Sequence, residues 1–215
     1  MAYKAVIFDM DGTILDTLED MVHSINAALA AEGFPPRTVE EVRRFVGHGN
    51  HRLAERAVPA GTDAETIERV LGAFHGHYRA HCADHTRVYE GIPALLTRLR
   101  SRGVRTAVVS NKADYAVQDL AARYFPGLLD GAAGERTGMR RKPAPDGVLA
   151  VLAGLGIPKE DAVYVGDSDV DIETAQNAGL PCISVTWGFR SRDFLHAHGA
   201  KTLADSVDEL ERLLS

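Results

Sequence analysis

The sequence predicts an α/β fold: a doubly wound, mostly parallel sheet with an α-helical block inserted after its first strand. Short apolar, β-branched runs recur along the chain and end at polar residues. Helical patterns alternate with those runs. One long stretch near the N-terminus carries helical patterns only.

The first run, Lys4-Ala5-Val6-Ile7-Phe8, is followed by Asp9 and by a glycine at position 12, the pattern of a buried strand ending in a loop. Similar runs span 104–109, ending at Ser110-Asn111; 162–165, ending at Gly166-Asp167; and 181–185, ending at Thr186-Trp187. A fifth, weaker strand spans 131–134. Helices are predicted over 92–102, 113–124, 146–155 and 171–178. Strands alternating with helices imply parallel βαβ units with both sheet faces covered. Between 17 and 87 no strand is predicted. Four helices fill that stretch, over 19–32, 39–45, 52–58 and 64–82, broken at Gly33-Phe34-Pro35-Pro36, Gly47-His48-Gly49 and Pro59-Ala60-Gly61. The expected organisation is a core domain of residues 1–16 plus 88–215 and a helical cap of residues 17–87.

Composition narrows the classes. The chain has 215 residues, 45% apolar and 25% charged, with a formal net charge of −6. That charge speaks against general nucleic-acid binding, which needs a basic face. The two cysteines, Cys82 and Cys182, give neither a disulfide framework nor a cysteine zinc site. No apolar run approaches membrane-spanning length, and the N-terminus enters a strand-like run without a leader pattern. A cytoplasmic protein is expected, with no membrane partner.

In open parallel sheets ligands bind at the carboxyl ends of the strands. The predicted ends bring together Asp9-Met10-Asp11-Gly12-Thr13, Ser110-Asn111, Lys142 in Arg141-Lys142-Pro143, and Gly166-Asp167-Ser168-Asp169-Val170-Asp171. Two unit charges about 4 Å apart repel by roughly 4 kcal/mol at an effective dielectric near 20. Gathered carboxylates therefore call for a cation or for protonation. A hard, oxygen-seeking ion suits them, and Mg²⁺ fits best because it keeps room for waters and a substrate phosphate. A carboxylate can also attack phosphorus and carry the phosphoryl group.

These four motifs, in this order, resemble those of the haloacid dehalogenase superfamily, and the resemblance covers essentially the whole chain. It implies a Rossmann-like core, a helical cap of the C1 type and a Mg²⁺-dependent phosphatase that passes through an aspartyl-phosphate. By the resemblance Asp9 is nucleophile and metal ligand, and Asp11 is general acid/base and metal ligand through its carbonyl. Asp167 is a further metal ligand and Asp171 supports the metal site. Ser110 and Lys142 bind the phosphoryl group, Lys142 also holding Asp9, while Asn111 and Thr13 join them as phosphate contacts. Asp16 lies near the hinge to the cap. Phosphoglycolate phosphatases look nearest, through Phe45-Val46-Gly47-His48-Gly49, Tyr89-Glu90-Gly91-Ile92, Arg141-Lys142-Pro143-Ala144-Pro145 and Thr186-Trp187-Gly188. The expected partner is a small phosphorylated metabolite, with 2-phosphoglycolate leading, bound by a monomer or homodimer. A sugar-phosphate phosphatase or phosphomutase on the same core is the enzyme alternative; a receiver-like signalling domain is the non-enzyme one.

His48, flanked by glycines, is a candidate substrate contact. His77, His81 and His85 fall at i, i+4 spacing and read as a solvated helical stripe, with transition-metal binding as the other reading. Arg190 and Arg192 read as surface arginines.

Overall fold

The computed structural model describes residues 3–215. In chain order the elements are β1 (Ala5–Phe8), β2 (Leu15–Asp16), α1 (Leu18–Ala31), α2 (Val39–Phe45), α3 (Asn50–Ala57), α4 (Ala64–His81), β3 (Arg87–Val88), α5 (Ile92–Ser101), β4 (Arg105–Ala113), α6 (Asp114–Tyr124), β5 (Gly131–Glu135), α7 (Asp146–Leu155), β6 (Ala162–Gly166), α8 (Asp169–Ala178), β7 (Cys182–Val185), α9 (Arg192–Ala197), β8 (Leu203–Ala204) and α10 (Val207–Leu213). The chain divides into two compact units, Met1–Leu15 with Val88–Ser215, and Asp16–Arg87.

The first unit is built on a six-stranded sheet in the order β5-β4-β1-β6-β7-β8. Its neighbouring strands run parallel, with Ala5 opposite both Arg105 and Ala162, and Phe8 opposite both Val108 and Val165. All four residues of β1 are fully buried because helices cover both faces, so the strand reads as a continuous apolar run. Alternation still divides them: Ala5 and Ile7 join Ala107, Val109 and Tyr164 in a core completed by Val148 and Leu152 of α7 and Ala175 and Ala178 of α8. From β1 the chain proceeds to β4 and β5 on one side and then crosses to β6 on the other. β1 thus sits at the switch in strand order, where such folds bind ligands beyond the strand ends.

The strand expected over 104–109 continues as β4 to Ala113, with its register shifting between Val109 and Ala113. Ser110 and Asn111 therefore lie within an irregular strand end. Three short strands and two helices were not legible as periodic segments: β2, β3, β8, α9 and α10 have two to seven residues each, too few to display a period.

The second unit holds α1 to α4. Ile25, Leu29, Val42, Leu53, Val70, Phe74 and Tyr78 are buried in it, with the Phe74 and Tyr78 rings stacked 5.3 Å apart. Thr38 caps α2 reciprocally with Glu41, and Asp63 caps α4 by accepting from the Thr66 amide at 2.9 Å. Among the described residues no helix is long and apolar enough to cross a membrane.

Candidate active site

Asp9 follows β1 directly, and its amide donates to the Val165 carbonyl of β6 at 2.8 Å, so the sheet ladder fixes its backbone. The chain then turns sharply: the Gly12 amide donates to Leu15 O at 2.8 Å and the Ile14 amide to Met10 O at 3.1 Å. Gly12 has φ +88°, and a Cβ there would collide with the Asp167 carboxylate. Only glycine both adopts this turn and leaves room for that carboxylate.

Asp167 and Asp171 flank the start of α8. The Asp167 Oδ1 accepts from the Thr13 hydroxyl at 3.3 Å and its Oδ2 from the Phe189 amide at 2.6 Å. A Cβ on Gly188 would also run into Asp167, so a second glycine opens the space it occupies. Asp171 accepts at Oδ2 from the Ser168 hydroxyl at 2.6 Å and amide at 3.1 Å. Its Oδ1 accepts from Lys142 Nζ at 2.8 Å and from the Tyr164 hydroxyl at 3.1 Å. Lys142 Nζ also donates to Asp9 Oδ1 at 2.7 Å and lies 2.9 Å from the Tyr164 oxygen. One buried ammonium thus joins the ends of β1 and α8.

Asn111 holds the Lys142 backbone from both sides: its Nδ2 donates to Lys142 O at 2.9 Å, and the Lys142 amide donates to its Oδ1 at 2.7 Å. In this structure the Asn111 side chain positions Lys142 and the Thr13 side chain holds Asp167. The Ser110 hydroxyl oxygen accepts from the Lys112 amide at 3.2 Å, which leaves its O–H able to donate. Asp11 is partly buried, 3.0 Å from Lys112 Nζ. Arg190 is buried, 3.8 Å from Asp169, whereas Arg192 lies exposed against Asp205. The surface reading therefore holds for Arg192 only.

His48 lies between α2 and α3 in the second unit. The histidine stripe is corrected as well. α4 ends at His81, so His85 is not on its face. His77, His81 and His85 instead pair with Ser24 at 3.0 Å, Asp84 at 2.7 Å and Asp20 at 2.9 Å.

Sequence reasoning missed Tyr164 and Lys112. Tyr164 reads as one more core residue of an apolar strand; its clue was a hydroxyl that, once buried, needs a partner. Lys112 follows Ser110-Asn111 directly, and a lysine in the tail of an apolar strand was its signal.

Carboxylate oxygens of Asp9, Asp167 and Asp171 all lie within 4.8 Å of one another, buried. Burial and the charges of Asp171 and Asp11 outweigh Lys142 and push the Asp9 carboxyl up to about 7. Burial, with Asp171 and Asp9 beside it, raises Asp167 well above the carboxylate range. Burial pulls the Lys142 ammonium down, yet Asp171 and Asp9 prevail and hold it well above the usual lysine value. A donor set of buried oxygens with one compensating lysine suits a hard divalent cation, which supplies the missing positive charge. A pH dependence follows. Between the ordinary carboxylate value of 3.8 and about 7, folded Asp9 holds a proton that the unfolded chain has released. Unfolding then releases protons, so stability falls as pH rises through that window, and Asp167 acts in the same sense. In EDTA the melting temperature should fall between about pH 5 and pH 8, and a divalent cation should raise it more at pH 8. Calorimetry across that range checks both signs.

Carboxylates and an ammonium gathered at the carboxyl edge of a doubly wound sheet are the build of a phosphoric monoester hydrolase of the α/β class. The chain belongs to the haloacid dehalogenase-like hydrolase family, which matches residues 6–185. A phosphoglycolate phosphatase of Cereibacter sphaeroides is 36% identical, the match covering 97% of this chain and 98% of that protein. The N-acetylmuramic acid 6-phosphate phosphatase of Pseudomonas aeruginosa is 33% identical, over 100% of this chain and 97% of that one. A structure from Lactobacillus delbrueckii, solved as a candidate phosphoglycolate phosphatase, superposes with a TM-score of 0.95 at 40% identity, covering 100% of this chain and 99% of that one.

Proposed function

We propose that the chain is a Mg²⁺-dependent phosphatase of small phosphomonoesters, with 2-phosphoglycolate the leading substrate and Asp9 the nucleophile. The observation that carries this reading is the buried chain Asp9–Lys142–Asp171, with contacts of 2.7 and 2.8 Å. Lys142 occupies Oδ1 of Asp9, which orients the carboxylate and leaves Oδ2 to attack phosphorus. The P–O bond to the alcohol breaks as the Asp9–phosphorus bond forms, and Asp11 gives the departing oxygen its proton. Asp11 then takes a proton from the water that cleaves the aspartyl-phosphate, which restores Asp9 and frees inorganic phosphate. Lys142 and the Ser110 hydroxyl hold phosphoryl oxygens through both steps. Asp9, Asp167 and the Asp11 carbonyl would hold the Mg²⁺, with Asp171 supporting the site from behind, and the ion would supply neutralisation of phosphoryl charge. The helical unit is read as the cap domain and His48 as a residue that selects substrate. The enzyme is placed in the cytoplasm.

A sugar-phosphate substrate is the second reading, favoured by the similarity to the N-acetylmuramic acid 6-phosphate phosphatase. Phosphate release should be measured over 2-phosphoglycolate, N-acetylmuramic acid 6-phosphate and hexose phosphates, with wild type and His48→Ala. EDTA should abolish release and added Mg²⁺ restore it. The substrate with the largest kcat/KM decides between the readings; isomerisation of a hexose phosphate without phosphate release would replace both with a mutase.

A further inference from the structure

We propose that the helical unit carries a second metal site, for a borderline transition ion of the zinc class, formed by Glu19, His23 and His85. One ligand atom from each converges, all within 4.8 Å of one another at the surface. Glu19 and His23 stand at i, i+4 on α1 and so share a face. His85 comes from the segment after α4, with its ring edge-on to that of His23 at 4.8 Å and 78°.

What distinguishes this trio from a chance surface cluster is the way His85 is held. Asp20 is buried, 1% exposed. Its carboxylate accepts from the His85 amide at 2.9 Å, the Thr86 amide at 2.8 Å and the His85 ring at Nδ1, 2.9 Å. An ionised carboxylate only accepts, so Nδ1 carries the proton and, in the neutral ring, Nε2 is bare. That Nε2 faces Glu19 Oε1 at 3.7 Å. In that neutral form Nε2 and the Glu19 carboxylate are both acceptors facing one gap, and a cation there satisfies both. A carboxylate that orients a histidine from behind, fixing its tautomer and raising its basicity, is the arrangement found behind metal-ligating imidazoles. The backbone bonds to Asp20 hold the imidazole in place before any ion arrives.

The donor chemistry sets the ion. Two imidazoles and one carboxylate, with room for water in a fourth position, suit zinc and its neighbours rather than Mg²⁺, which prefers an all-oxygen shell. Ligand atoms in a tetrahedral zinc shell lie roughly 3.4 Å apart. The exposed side chains of Glu19 and His23 reach that spacing by rotation. The acidic cluster of the first unit shares none of these residues, so each site is assayed while the other is intact.

Full-length protein in excess Mg²⁺, which occupies the all-oxygen cluster, is titrated with Zn²⁺ by calorimetry, with metal content checked after dialysis. Wild type should take up one equivalent. Glu19→Gln and His23→Gln, both surface changes compatible with folding, should each weaken that uptake about tenfold or more. Imidazole ¹⁵N spectra should show His85 with a bare Nε2 before zinc, and shifts of His23 and His85 on its addition. No uptake, uptake unchanged in both variants, or a doubly protonated His85 at neutral pH that ignores zinc would each overturn the site. The last outcome would leave a plain ion pair among Glu19, Asp20 and His85.

Discussion

Asp9→Asn is expected to lower phosphate release by about 10⁴-fold or more, while making the metal-free protein more stable near pH 8. The two effects share one cause. Asp9 is a buried carboxylate beside Asp171 and Asp11, and its ionised form is disfavoured enough to push it up to about 7. An asparagine keeps the size of the side chain, and its carbonyl still accepts from Lys142, but it removes a charge that the fold holds at a cost. It also removes the proposed nucleophile, since a neutral amide oxygen does not form the acyl phosphate. A residue with only a structural role would lose stability and activity together. Acid-quenched wild type incubated with substrate should yield a hydroxylamine-sensitive phosphoprotein, and the variant none. An acyl phosphate that survives in Asp9→Asn would assign the nucleophile to another residue.

Much of this site is legible in the sequence because its parts lie where regular structure ends. β1 is a fully buried run with Asp9 as its first polar residue, so the apolar pattern itself points to the carboxylate. Asp167, directly after β6, repeats the logic. The metal-like grouping of Asp9, Asp167 and Asp171 follows once the strand order places β1 beside β6. What is not legible is which atom each polar residue addresses. Thr13 and Asn111 sit in the motifs, yet their side chains hold Asp167 and the Lys142 backbone. That division depends on packing at ångström scale, and residue type alone leaves it open. Tyr164 is hidden for the opposite reason: within an apolar strand its ring is indistinguishable from core, and only the fold shows its hydroxyl 3.1 Å from Asp171. His85 misled through local spacing, since i, i+4 neighbours share a face only while the helix continues, and α4 stops at His81.

Lys142→Met should be the most destabilising of these single changes, about 3–5 kcal/mol, with kcat down about 10²–10³-fold. The substitution retains most of the side chain's apolar volume, so the loss measures the charge. Lys142 Nζ lies 2.7 Å from Asp9 Oδ1 and 2.8 Å from Asp171 Oδ1, all of them buried. Without it, two carboxylates face each other with no counter-ion and the Tyr164 hydroxyl loses a neighbour 2.9 Å away. Two further readouts separate this account from a simple packing defect. The deficit should shrink toward about pH 5, because protonating the acids relieves the repulsion; carboxyl groups raised in the folded state contribute stability that is lost as pH rises. The double variant Lys142→Met with Asp9→Asn should recover part of the stability lost in Lys142→Met alone, since the second change removes one of the stranded charges. A deficit independent of pH and additive with Asp9→Asn would mean that Lys142 fills space and that the acids are neutralised by other means. Lys142→Arg should rescue poorly: a planar fork cannot place one nitrogen between three oxygens converging on a point.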